Sequence, residues 1–514
     1  MKIIAKTSFT VFLLVALVGC DSVVERPEPS TSISQGEALS DPDAIQGVRA
    51  AMYDEFHTED MSTDWLLGPS ALADNTFFRR NQGRHQGQNV NNRGSHLESQ
   101  VYNEAYDAIN AANLLINGIE EGAIPEARAD KLAAEGLFIR SLVHHHLVRI
   151  FGYDPDEQGG VLTPAAGPGS GWDLGIVLRT QGTLDLQDSE EKPRATVPEV
   201  YDQLVSDLNS AIDLFDNLPD QVRESSTIYP SEAAAEALLA RVQLYNKNYQ
   251  AAEDAASRAL DLAELEFGAS LAQPGELIDI FDETTGDPEV IFKIATDPET
   301  EAVGINDALS AYTSMQWMAQ IPTQDLLDLY EDGDARRDEW YDPCFDEQES
   351  TRPGGCDEIN TEEDELNKGD FDGEVVTGLE LEKYNSEQDI SQFADDHVHL
   401  RVGELKLIQA EARLNGASGS PEQPINELRN ARGLNDLEGS LDIDEILDER
   451  RRELVAEGHR FFDLKRLGRD IRKIEDLPGK EGRPDLDFNR YWVLDNLPTD
   501  EVENNDELVQ NPEY

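Results

Sequence analysis

Residues 233–263 contain AAEALLARVQLYNKNYQAAEDAASRALDL, and this pattern limits the fold more than any other feature of the chain. Apolar residues recur at helical spacing on both sides of Asn246-Lys247-Asn248, which reads as a turn between two helices. The second helix carries small Ala residues at its packing positions, so the two backbones can approach closely. A single pair of this kind leaves one face of each helix uncovered, and other pairs must stack on it. Candidates are 99–120 with 129–151, and 396–415 with 421–433. In the first of these, Tyr102, Tyr106, Ile109 and Leu114 fall on one face. Between the pairs, Val200, Leu204, Leu208 and Ile212 repeat every four residues behind Thr196 and Glu199, a capping box. The expectation is a mostly α protein: a superhelical scaffold of helix pairs, with long loop-rich insertions and a few short strands.

The insertions are equally legible. Residues 152–192 are rich in Gly and Pro and carry Trp172, while 268–395 lack helical period apart from the alternating, strand-like EVIFKI at 289–294. An Asn-, Gln- and Arg-rich stretch up to Gly94 is too polar for a core. Cys344 and Cys356 lie in a Pro/Gly/acid loop, where an extracytoplasmic setting would let them close a small disulfide ring; two free thiols are the alternative. No metal or cofactor is expected. His144, His145 and His146 are adjacent, so on a helix they point about 100° apart and cannot converge on one ion. No EF-hand spacing accompanies the many carboxylates. No nucleophile elbow, phosphate loop, H-E-x-x-H or C-x-x-C occurs, so the sequence offers no catalytic residues.

The N-terminus reads as a targeting segment. Lys2 and Lys6 precede an apolar run from Phe9 to Gly19, 11 residues long and too short to span a bilayer. It ends Leu17-Val18-Gly19-Cys20, which resembles a bacterial lipobox. The expected organisation is a lipoprotein signal peptide over 1–19, a tether over 20–40 lipidated at Cys20, and one domain over 41–514. That domain divides into a repeat-bearing part at about 41–265 and a C-terminal part at about 266–514. No later run approaches 18 apolar residues, so the lipid is the expected membrane attachment.

Residues 442–470 add a second constraint. Ile443, Ile446, Leu447, Leu454 and Val455 form an apolar stripe that includes Arg450. A cation on such a stripe must be paired, with Glu449, Glu453, Glu457 or a carboxylate from elsewhere. Gly458 interrupts or ends the helix, and Arg460 and Asp463 follow among Phe461, Phe462 and Leu464. We read Glu449, Arg450, Glu453, Glu457, Arg460 and Asp463 as a structural ion-pair segment. The stretch E-R-R-x-E-L-x-x-E-G-x-R-x-x-D-L-x-R-x-G also resembles the C-terminal signature of the SusD/RagB family. The block at 396–433 and the final LPTDEVENNDELVQNPEY are similar to further family blocks, and 233–263 matches the tetratricopeptide pattern.

The resemblance implies a SusD-like fold and a non-enzymatic lipoprotein of a Gram-negative outer membrane, on its cell-surface or periplasm-facing side. It implies capture of oligosaccharides for a TonB-dependent, SusC-like transporter. Oligopeptide capture, or a tetratricopeptide scaffold without a small ligand, are the alternatives. The resemblance places ligand sites on the N-terminal loops and on loops between the repeats and the C-terminal part, which points to Trp65, Asn75, Arg79, Tyr312 and Trp317. Each aromatic among them could equally plug the core beneath a loop.

Charge decides what the surface can meet. With 105 acidic against 42 basic residues the net charge is −63, which excludes ordinary nucleic-acid binding. Only 12 of the 42 basic residues are Lys, and the acid is spread along the whole chain. Such a surface repels itself unless salt screens it. We therefore expect the melting temperature to fall on moving from about 2 M to about 0.05 M salt, where the Debye length lengthens several-fold. A melting temperature that holds or rises on dilution contradicts this expectation.

Overall fold

The computed structural model describes residues 39–78, 101–184, 190–281, 288–297, 303–304, 307–313, 320–343, 379–384, 393–472, 485–488 and 493–514. Cys20, Arg79, Trp317, Cys344 and Cys356, with the signal segment and most of the tether, lie outside them. The described chain is mainly helical. Helices α1 (Pro42–Asp54), α2 (Val101–Asn117), α3 (Glu126–Phe151), α4 (Val197–Asp216), α5 (Glu232–Tyr245) and α6 (Tyr249–Phe267) form the first part. Helices α7 (Val402–Leu414), α8 (Glu422–Ala431), α9 (Ile443–Glu453) and α10 (Arg460–Lys465) belong to the second.

Helices α1 to α6 each pack on the next, and α6 then packs on α7, which holds α8 and α9. The three expected pairs are therefore present as one continuous stack with α4 between the first two. Local chemistry sets the ends. Thr196 and Glu199 form the capping box of α4, Ser231 caps α5, and Lys247 takes φ 60° in the turn between α5 and α6. Where α2 meets α3, a Cβ at Gly136 would lie 2.8 Å from the Ala112 carbonyl, so this close approach requires glycine. Buried ion pairs tie the layers together. Arg140 of α3 donates twice to Asp207 of α4 and once to Asn113 of α2, and Arg241 of α5 donates twice to Glu404 of α7.

Small two-stranded sheets fasten the remainder. Thr76–Phe78 pairs antiparallel with Gln320–Pro322, and Tyr341–Pro343 with Leu379–Leu381. The EVIFKI strand forms at Val290–Ile294 and pairs antiparallel with His397–Arg401. The second strand corrects the expected helix over 396–415, which begins only at Val402. All five of its residues are buried against the partner strand, and that pairing overrides the helical pattern that follows.

The histidine triplet is interior. His146 stacks on Trp65 with ring centroids 3.6 Å apart, while His145 meets Tyr245 edge-on. Burial and neighbouring arginines hold all three well below the usual histidine range, so they are neutral packing groups.

The 442–470 segment ends α9 at Glu453, before Leu454. Two pairs form locally, Glu449 with Arg452 and Asp463 with Arg466, each three residues apart, and most of the remaining partners are cations from distant segments. Glu453 accepts from Arg336 at 2.9 Å, Arg401 at 2.7 Å and Arg432 at 2.7 Å. Arg401 and Arg432 both reach Glu289 as well, and Arg336 also reaches Asp334 and Glu449. Glu457 takes Arg401 and Lys383, each at 2.6 Å. Arg450 finds its partner in Asp463 at 2.8 Å, and Arg466 bridges Asp463 to Glu411. Arg460 clamps both oxygens of Asp74, bringing the N-terminal region onto the same segment. Gly458 has φ +76°, and a Cβ there would meet the Trp65 carbonyl at 2.6 Å.

These environments split the carboxylates into two classes. Burial opposes ionisation of Glu449, but Arg336 and Arg452 outweigh it and hold the carboxyl down to about 2. At Glu453 burial is likewise outweighed, by Arg432, Arg401 and Arg336. Burial pushes Asp60, Asp64 and Asp395 up to about 7, with Asp64 and Glu104 adding to the effect at Asp60. The first class stabilises the fold above its ordinary value of 4.5, and that contribution is lost as pH falls toward 2. The second keeps protons that the unfolded chain releases from 3.8 upward, so it costs stability at pH 7 and above, and acidification relieves that cost. Relief of self-repulsion acts in the same direction. The melting temperature should peak between about pH 4.5 and 6, fall toward pH 8 and fall steeply below about pH 4, with Asp64→Asn reducing the alkaline fall. A thermal scan that climbs steadily to pH 8 contradicts this assignment.

Candidate binding cleft

One face of α2 is built in an unusual way for a helix. Tyr106, Asn110, Asn113 and Asn117 recur at helical spacing, although Asn is among the weaker helix formers. Each spends its side chain on the backbone of residues 177–183. Tyr106 Oη donates to the Val177 carbonyl at 2.8 Å, Asn113 Nδ2 to Arg179 at 3.0 Å and Asn117 Nδ2 to Thr180 at 3.0 Å. Asn110 donates to the Thr183 carbonyl at 3.0 Å and accepts from its amide at 2.8 Å. An irregular segment is thereby held against the helix as a fixed wall.

Between that wall and α2 lies a cleft of about 750 Å³, within the size range of small-molecule sites. Tyr102 and Tyr106 supply its apolar lining, their rings 4.5 Å apart. Burial raises both phenols, Tyr102 to about 12, so both are neutral. The polar lining comes from Asn103, Asp107, Arg179, Gln181, Lys192 and Glu501. Arg179 gives Nη1 to the Glu190 carbonyl. The side chains of Asn103, Asp107, Gln181 and Lys192 make no hydrogen bond or ion pair among the described residues. Burial raises the Asp107 carboxyl, and it raises Glu501 together with Asp500. The cleft therefore offers both donors and acceptors over an aromatic lining.

A second cleft, of about 840 Å³, lies between α1 and the Val290–Ile294 strand. There Tyr229 has Arg49 3.9 Å over its ring and Tyr53 edge-on at 5.7 Å, and Lys293 pairs with Asp396 at 2.5 Å. Among the described residues no group of three or more His, Cys, Asp or Glu is arranged to hold a metal, and no helix is long and apolar enough to cross a membrane.

Three of the five residues expected on ligand-facing loops lie in the interior. Trp65 is 3% exposed and stacks on His146. Asn75 is fully buried and accepts from Arg451 Nε at 2.7 Å. Tyr312 is also fully buried and donates to Glu59 at 2.7 Å. In this structure these three are interior groups that hold the N-terminal segments to the rest; Arg79 and Trp317 are outside the described residues. Sequence reading missed the α2 cleft because it ranked aromatics on loops first. The usable signal was Asn at 110, 113 and 117 on one helical face, where Ala or Leu would favour the helix more.

Comparison with known proteins accounts for nearly the whole chain. Residues 28–244 match a SusD-like family described as starch-binding and associating with the outer membrane, and residues 288–514 match the SusD family. SusD-like protein P2 of Formosa agariphila is 26% identical over 546 residues, covering 99% of each chain. Among solved structures, a SusD superfamily protein from Bacteroides thetaiotaomicron aligns with a TM-score of 0.73 at 22% identity, covering 91% of this chain and 99% of that one. A laminarin binding SusD-like protein aligns with a TM-score of 0.65 at 19% identity, over 92% of this chain and all of that one. The helix stack, the C-terminal ion-pair segment and these matches agree: the chain belongs to the SusD/RagB family, a carbohydrate-binding family associated with the outer membrane.

Proposed function

We propose that this protein is a non-enzymatic surface lipoprotein, anchored through Cys20, that captures oligosaccharides and passes them to a TonB-dependent, SusC-like transporter. The observation that carries this reading is the end-to-end match to the family, including a model described as starch-binding. The open cleft along α2 supports it chemically. Sugar hydroxyls both donate and accept, and the cleft presents groups of both kinds that have no hydrogen bond among the described residues, beside tyrosine rings. The laminarin binding relative makes a glucan a reasonable first ligand to try. Release to a transporter favours modest affinity, with Kd on the order of 10⁻⁵ M, or about −7 kcal/mol.

The test combines calorimetry on a panel of neutral and charged oligosaccharides and short peptides with co-purification from the native membrane. Saccharide binding in that range, together with a co-purifying TonB-dependent receptor, is the expected result. Binding of peptides alone would replace the ligand class, and a receptor complex with no ligand of either class would favour a scaffold.

A further inference from the structure

We infer that the cleft along α2 is a site for a neutral, hydroxyl-rich saccharide, recognised by Asn103, Asp107, Gln181, Arg179, Lys192 and Glu501. This rests on the carbohydrate reading and names where and how it is carried out. The wall is built before any ligand arrives, since the four side chains from Tyr106 to Asn117 pin residues 177–183. Hydrogen bonds of that kind prepay the ordering a binding loop otherwise costs on association.

The lining also selects the ligand class. Arg179 and Lys192 are half-buried cations without an ion pair among the described residues, in a chain with 105 acidic residues and only 42 basic ones. Both cations line the same cleft. An anionic ligand would meet Asp107 and Glu501, and a cationic one would meet Arg179 and Lys192. An apolar ligand would strip water from all of them without replacing their hydrogen bonds. A polyol satisfies both sets at once. Its hydroxyls donate to Asp107 and Glu501, accept from Arg179 and Lys192, and do both with Asn103 and Gln181. The C–H face of a sugar ring lies over the half-buried Tyr106, with the buried Tyr102 ring packed 4.5 Å from it. The site stands apart from Trp65, Asn75 and Tyr312, which are buried.

Calorimetry on the full chain with malto-, laminari-, cello-, xylo- and manno-oligosaccharides, and with polygalacturonate oligomers, tests the assignment. Three variants are compared with wild type: the double variant Asn103→Ala/Asp107→Ala, Lys192→Ala, and Arg79→Ala/Trp317→Ala on the N-terminal and 314–319 stretches. Asn103 and Asp107 are exposed, and an unchanged melting temperature confirms that the fold is kept. Lys192→Ala provides the same test should the double variant fail to fold. The expected result is that wild type binds a neutral saccharide and the α2 variants weaken it about tenfold or more. Unchanged binding in both α2 variants, with loss in Arg79→Ala/Trp317→Ala, overturns the cleft and leaves the carbohydrate reading standing. A wild type that binds only polygalacturonate overturns the neutral-ligand assignment alone, and one that binds no saccharide overturns both.

Discussion

Glu453 is the point on which the second half of this molecule depends. It is fully buried and faces three guanidinium groups, each from a different segment: the short helix Ala335–Glu339, the strand His397–Arg401, and the end of α8. Burying one carboxylate without partners would be very costly. Burying it among Arg336, Arg401 and Arg432, with Glu289, Glu449 and Glu457 balancing the remaining charge, makes each segment's position a condition for the others. The same segment then reaches further. Arg450 and Arg466 connect α9 and α10 to α7 through Asp463 and Glu411, while Arg451 and Arg460 hold Asn75 and Asp74 from the N-terminal part. The final residues close the arrangement at α3, where Asn511 donates to the Phe151 carbonyl and accepts from Arg194.

The chain therefore separates its charges by task. Arginines go inward as bidentate partners, which suits their planar, always-charged guanidinium. Carboxylates in excess cover the outside and give the molecule its acidic surface. Against that background the α2 cleft stands out, because it holds donors and acceptors with no hydrogen bond or ion pair among the described residues together beside aromatic rings.

Much of this was legible in the sequence, and the reasons differ by element. The helix pairs were visible because Ala and Leu at helical spacing serve only packing. The ion-pair role of 442–470 was visible because Arg450 occupies an apolar stripe, although its partner, Asp463, could be found only in three dimensions. The strand at His397–Arg401 was missed because its pairing with Val290–Ile294 is a long-range contact between positions about a hundred residues apart. Trp65, Asn75 and Tyr312 were offered as ligand-facing, with a core position as the equal alternative for the two aromatics, and all three are buried. The sequence shows that a residue lies outside a repeat, but not whether a helix such as α3 passes beneath it. The cleft itself arises from side chains on α2 meeting backbone at 177–183, and backbone acceptors carry no sequence signature.

The most direct measurement of the central claim is the unfolding free energy of Glu453→Gln, taken with saccharide affinity on the same preparation. The account predicts a loss of about 3–5 kcal/mol, as when one partner of a buried ion pair is removed, with affinity per folded molecule unchanged. A variant as stable as wild type that has lost saccharide binding would contradict it, and would make the buried charge network part of the site.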